Sequence, residues 1–156
     1  RRAFLDVAQE EAARVAAEDR IAARDPKAGQ IDRFIAAGDL VEMNVAGGLS
    51  GSLAFMTGMA ASGAYGPGVP MEDLMADVWQ QEEQIRQDTT SWLRAYLGLA
   101  YDPLTEAELE DYIAFMESPA GKRLNAALFV AFDAAFREVS MNLGRAAGLA
   151  MQGRTI

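Results

Sequence analysis

The sequence predicts an all-α protein, a single-domain bundle of about six helices with a Ser-Pro elbow between the last two. Three observations carry this. Alanine is abundant while valine, isoleucine and threonine are sparse, a balance that favours helix over strand. Apolar residues recur at three- and four-residue spacing along most of the chain. Two stretches, at Thr105 and at Ser118, carry the local signals of helix starts. The 156 residues suit one domain, 1–156, able to hide roughly 70% of its unfolded surface.

The first helix is read from Arg1 to Arg24. Phe4, Leu5, Ala8, Ala12, Val15 and Ile21 form its stripe, Glu10 and Arg14 pair one turn apart, and Asp25-Pro26 stops it. A short second helix places Ile31, Phe34 and Ile35 on one side, with Gly38 as its C-terminal stop and Asp39 as the cap of the next. No charge occurs from Met43 to Met71, a run that holds Gly47, Gly48, Gly51 and Gly58. Each glycine inside a helix costs about 1 kcal/mol relative to alanine, so something must offset it. The first reading is a central helix whose small residues admit a close neighbour. An irregular segment, membrane insertion through the Gly47/Gly51 spacing, and a phosphate loop lacking its lysine are the alternatives.

Gly63 to Pro70 reads as a loop, with Gly66-Pro67-Gly68 as turn chemistry. A long helix from Met71 to about Gly98 follows. Its stripe is Leu74, Val78, Ile85, Thr89, Trp92 and Tyr96, widened by Leu93 and Leu97, with Trp79 beside the seam and partly exposed. Tyr101-Asp102-Pro103 breaks it. Thr105 and Glu108 then form a capping box, and Leu104 and Leu109 a hydrophobic staple. Leu109, Tyr112, Ile113 and Met116 line one face. Proline disfavours helix at the residue before it yet is well placed at a first helical position, and serine is a good cap. Ser118-Pro119 therefore ends one helix and starts another, with a single kinked helix as the alternative. Beyond the elbow, Leu124, Leu128, Phe132, Ala135, Val139 and Leu143 share a face that Phe129 and Phe136 widen. This face is expected to be core; a lipid-cavity wall or a subunit interface is the alternative. Residues 144–156, with Gly148 and Gly153, are expected to fray.

Thr105 to Leu109, Ile113-Ala114-Phe115 and Ser118 to Lys122 together resemble the family catalogued as domain of unknown function 2059. Its pattern is T-x-x-E-L followed by an aromatic pair and S-P-x-G; Met116 stands here where an aromatic residue is commoner. The resemblance covers roughly Trp92 to Leu128. It implies an all-helical bacterial protein, usually exported to the periplasm or beyond, with no established activity, and it transfers no catalytic residue.

Composition narrows the chemistry. The chain has no cysteine and no histidine, which removes disulfides, thiolate and imidazole metal sites and histidine acid–base catalysis. A net charge of −9 disfavours a nucleic-acid partner. Between Glu72 and Asp111 stand eleven acidic and two basic residues, first of all a solvated surface. Arg1 at the start suggests that an upstream segment, such as a secretory signal, has been removed.

Several side-chain groupings are weighed. Asp73 and Asp77, with Glu72, Glu82, Glu83 and Asp88 on the same helix, could hold calcium or magnesium, or supply a carboxylate pair for hydrolysis. Ser118 and Lys122 are four apart, and the N–H groups from Ala120 to Lys122 could draw an anion. None displaces the structural readings, so no catalytic, cofactor-binding or metal residue is assigned. The expected function is non-enzymatic: an envelope protein that binds a protein partner or self-associates, with no membrane span. A carrier of a lipophilic molecule in a Met- and Phe-lined pocket is the alternative, and a carboxylate-dependent hydrolase stands behind it.

Overall fold

The computed structural model describes residues 7–66 and 70–153; the side chains of Met71, Leu74 and Asp77 also fall outside it. Phe4, Leu5, Pro67, Gly68 and the last three residues therefore lie beyond the described part. Among the described residues there are seven helices and no strand, so the chain is all-α. They are α1 (Val7–Ala22), α2 (Pro26–Ala37), α3 (Leu40–Ala61), α4 (Met71–Trp79), α5 (Glu82–Ala100), α6 (Glu106–Glu117) and α7 (Pro119–Met151). The seventh comes from a break in the long helix expected from Met71. Gln81 donates to Val78 O at 3.1 Å, a tightened turn, before Ile85 N–H resumes the ladder on Gln81 O at 2.9 Å. Neither glycine nor proline marks that break in the sequence.

The chain groups into two compact units where its length suggests one, and the boundaries fall within α3, α5 and α7. The first contains the described residues up to Glu42 and Arg86–Ala126. Its core is Ile31, Phe34, Ile35, Leu93, Leu97, Leu109, Ile113 and Met116. Leu109 and Ile113 are wholly buried because the capping box sets the phase of α6. Thr105 N–H donates to Glu108 Oε2 at 2.8 Å, and Glu108 N–H donates to Thr105 Oγ1 at 3.2 Å. Helices α2 and α6 run side by side in the same direction. Gln30 donates to Glu106 O at 2.8 Å and, one turn on, Arg33 reaches Glu110 at 2.9 Å. Phe34, Tyr101 and Tyr112 close the adjoining corner as an aromatic trio with centroids 4.9–5.6 Å apart.

One local expectation is corrected here, and Gly38 ends α2 as read. The first helix buries none of its described residues, and Val15 and Ile21 are exposed. It lies on its alanines instead, with Ala13, Ala16 and Ala17 turned toward α2 and α5. At the end of α2, Gly38 is right-handed (φ −90°) while Asp39 takes the left-handed conformation (φ 52°). Glycine is present for space: a Cβ at position 38 would lie 2.7 Å from Leu40 Cδ2 and 2.9 Å from Met116 Cε.

The second unit, Met43–Ile85 with the described residues from Ala127 onward, is built on the charge-free helix. The glycine run is helical, and its offset is a close helix contact. A Cβ on Gly58 would strike Met141 O and lie 2.9 Å from Arg145 N; one on Gly144 would strike Phe55 O and lie 2.8 Å from Phe55 C. Gly51 faces Ser140 Oγ, and Gly148 faces Ser62. Both helices thus advance in the same direction with backbones in contact, as small-residue interfaces allow. Of the residues read as a fraying tail, 144–151 are helical: α7 continues to Met151, Gly144 and Gly148 are buried, and Gln152 Nε2 donates to Ser62 O at 2.9 Å, while residues 154–156 lie outside the described part.

Candidate functional site

The helix that closes the chain carries the feature of most consequence. The apolar face of α7 was the expected core, and it is exposed. Leu124, Leu128, Phe132, Phe136, Val139 and Leu143 keep between 47% and 63% of their surface in solvent. From Ser140 onward the cause is which face the small residues occupy. Ser140, Gly144 and Gly148 lie at four-residue intervals, roughly 150° around the helix from the centre of the apolar stripe at 3.6 residues per turn. Those small residues meet α3 at close range, which leaves Val139 and Leu143 outward. Between Leu124 and Arg137 the helix is exposed on the opposite side as well, Val130 at 72%. Phe132 and Phe136 remain near each other on that surface, centroids 6.4 Å apart.

An apolar stripe on a helix normally marks the buried side. Here the informative signal is the Ser-x-x-x-Gly-x-x-x-Gly spacing from Ser140 to Gly148. It competes with the stripe for the interior, and sequence reasoning took it for a loosening tail.

A second concavity lies in the first unit, between α1, α2 and α5. It is a cleft of about 110 Å³ whose lining includes Ala13, Ala17, Ile31, Ala95 and Leu99. Charged groups ring it. Arg20 pairs with Asp102 at 2.6 Å, Arg94 with Asp32 at 2.8 Å, and Lys27 Nζ donates to Asp102 O at 2.6 Å. Methionine and phenylalanine are absent from its lining. Ligand pockets generally measure about 300–1,000 Å³, so this cleft suits at most a few heavy atoms.

The elbow uses its own polar groups. Ser118 Oγ donates to Phe115 O at 2.6 Å and accepts from Gly121 N–H at 3.1 Å, while Lys122 N–H donates to Ser118 O at 3.0 Å. The N–H groups considered for an anion are thus largely taken by the cap, and Gly121 sits against the backbone of Phe115 and Met116 with no open cradle. Ser118 and Lys122 form no nucleophile–base pair, because the hydroxyl is committed to the backbone. The glycine-rich stretch at Gly47 to Ser52 is helix, so the phosphate-loop alternative falls.

Among the described residues, four ionisable groups depart from their ordinary range. The Thr105 backbone N–H, followed by its hydroxyl, holds the Glu108 carboxyl below the usual value. Arg33, followed by Gln30, does the same for Glu110, and Glu110 in turn raises Arg33. Burial, followed by its hydrogen bond with Tyr112, pushes the Tyr101 phenol upward. All four serve packing and capping. Of the carboxylates considered for a metal, Asp77 lies outside the described side chains; among the described residues no group of three or more acidic side chains is placed to hold an ion. No described helix is long and apolar enough to cross a membrane. No protein-family model matches this chain, and neither a curated protein nor a solved structure matches it.

Proposed function

We propose that this protein works by association, not catalysis, and that its working surface is the outward face of α7. A single observation carries the reading: six large apolar side chains stand about half or more in water on one helix while that helix spends its small residues on the interior. At about 200 Å² for a fully exposed side chain of this size, they present roughly 700 Å². Contiguous apolar patches on monomers seldom exceed about 600 Å², and larger ones mark interaction sites. The face is on a helix, so its side chains are held in place before any partner arrives, which lowers the ordering cost of binding.

The extracytoplasmic setting implied by the Thr105–Lys122 resemblance belongs to the same proposal, and fractionation of the producing cell checks it. A lipophilic carrier finds less support, because the one cleft described is small and lacks the methionines and phenylalanines such a pocket would use. The decisive experiment places a photo-crosslinking amino acid at Phe136, 63% exposed, in the producing cell. Ultraviolet-dependent adducts to protein, absent when the same group replaces exposed Val7 on α1, are the expected result. Adducts to no protein would sink the reading.

A further inference from the structure

The occupant of the α7 face follows from its spacing. The stripe Leu124, Leu128, Phe132, Ala135, Val139, Leu143 advances by four, four, three, four and four residues. That pattern reads the same in both directions. It also repeats every eleven residues, so Leu124, Leu128 and Phe132 are followed by Ala135, Val139 and Leu143. An eleven-residue repeat, at about 3.67 residues per turn, stays nearly in line along an α-helix. The stripe is therefore a nearly straight seam.

A palindromic seam has a consequence for symmetry. In a two-fold interface the same patch serves both subunits, and residue i meets residue j while j meets i. Laid antiparallel on itself about a point between Asp133 and Ala134, the seam brings Leu124 opposite Leu143, Leu128 opposite Val139 and Phe132 opposite Ala135. All six positions find apolar partners at once. Side-chain size is complementary too, because the first repeat carries Leu, Leu and Phe where the second carries Ala, Val and Leu. The largest side chain thus meets the smallest, the alternation that facing core positions require.

We infer that the α7 face docks a second copy of this chain, α7 against α7 in antiparallel orientation, with Phe132 of each copy seated over Ala135 of the other. This rests on the association reading above. The area agrees: the seam together with Phe136 at its flank offers roughly 700 Å² of apolar surface from each copy, which with a polar rim approaches the ~800 Å² per partner of a standard stable interface. Charge does not oppose it locally. The chain carries −9, but α7 itself holds four basic residues, Lys122, Arg123, Arg137 and Arg145, against two acidic ones, Asp133 and Glu138, so the net charge two copies would bring to the seam is small.

The test uses the full chain. Sedimentation equilibrium should give twice the 16.8 kDa of one chain, and Phe132→Glu with Val139→Glu should return it to one chain with helical circular dichroism retained, because both side chains are exposed. Orientation comes from spin labels, since the chain has no cysteine of its own. Labels at Ala131→Cys, near the two-fold, should lie within about 20 Å of each other, and labels at Ala150→Cys about 50 Å apart, given 1.5 Å of rise per residue. A wild-type monomer overturns the inference, as does a dimer that survives the double glutamate variant. A short distance at Ala150 overturns the antiparallel pairing. Crosslinks from Phe136 to a different protein, with a monomeric chain, reject the second copy while leaving association intact; absence of any adduct rejects both.

Discussion

Replacing Gly144 by alanine tests the contact that turns the α7 face outward. In an isolated helix the change would stabilise by about 1 kcal/mol. Here the new Cβ would sit 2.8 Å from Phe55 C and 3.1 Å from Phe55 Cα, and closer still to Phe55 O, all backbone atoms. An ordinary contact begins at 3.4 Å, so α3 and α7 must part by at least about 0.6 Å. Overpacking of this kind costs about 1–3 kcal/mol, and a gap of half an ångström forfeits a quarter or more of each facing dispersion contact. Set against the propensity gain, the steric term leaves a net loss of up to about 2 kcal/mol. At about 2–4 °C per kcal/mol for a chain of this size, Tm should fall by up to about 8 °C. Gly47→Ala is the matched control: nothing lies within 4 Å of its Cβ, so propensity acts alone and Tm should rise by about 2–4 °C. Thermal circular dichroism on the pair decides. A Gly144→Ala variant as stable as Gly47→Ala would mean that the two backbones do not touch, and the account of why Val139 and Leu143 face solvent would fall with it.

Four further outcomes follow from the first unit. Asp39 is left-handed with φ 52°, so Asp39→Gly should raise stability by about 0.5–1 kcal/mol in denaturant titration, whereas Gly38→Ala should lower it by forcing Leu40 and Met116 aside. Thr105→Ala removes the acceptor of Glu108 N–H and should cost about 1 kcal/mol, as cap losses do. Stability should also depend on acid. The Glu108 and Glu110 pKa values are lower in the folded chain than their ordinary 4.5, so the unfolded chain takes up protons first. Their contribution is complete above about pH 4.5 and is lost as pH falls through the depressed folded values. Tm measured from pH 6 to pH 3 should drop in that window, and less steeply in Glu108→Gln; equal slopes would refute the assignment.

Much of the fold was legible in the chain because it rests on local chemistry. The capping box at Thr105 and the serine cap before Pro119 depend on residues three or four apart, and both occur as read. The Glu10–Arg14 pair, 3.1 Å apart, is local for the same reason. Ile31, Phe34 and Ile35 are buried because a twelve-residue amphipathic helix has one face to hide. Gly38 ends α2 as read, although the left-handed turn falls on Asp39. The reading failed on α1, whose stripe of Ala8, Ala12, Val15 and Ile21 stays unburied while Ala13 and Ala17 line the cleft toward α2 and α5.

By itself the sequence determined which segments are helical, where α6 and α7 begin, and that neither thiol nor imidazole chemistry is available. Only the tertiary structure decided which side of α7 is inside. Periodicity identifies a face but cannot say what opposes it. Ser140, Gly144 and Gly148 meet a glycine-bearing neighbour more than eighty residues away, and backbone contact with Phe55 and Gly58 outweighs the pull of the larger side chains. That choice turns Val139 and Leu143 outward, in line with the exposed Phe132 and Phe136, where another molecule can reach them.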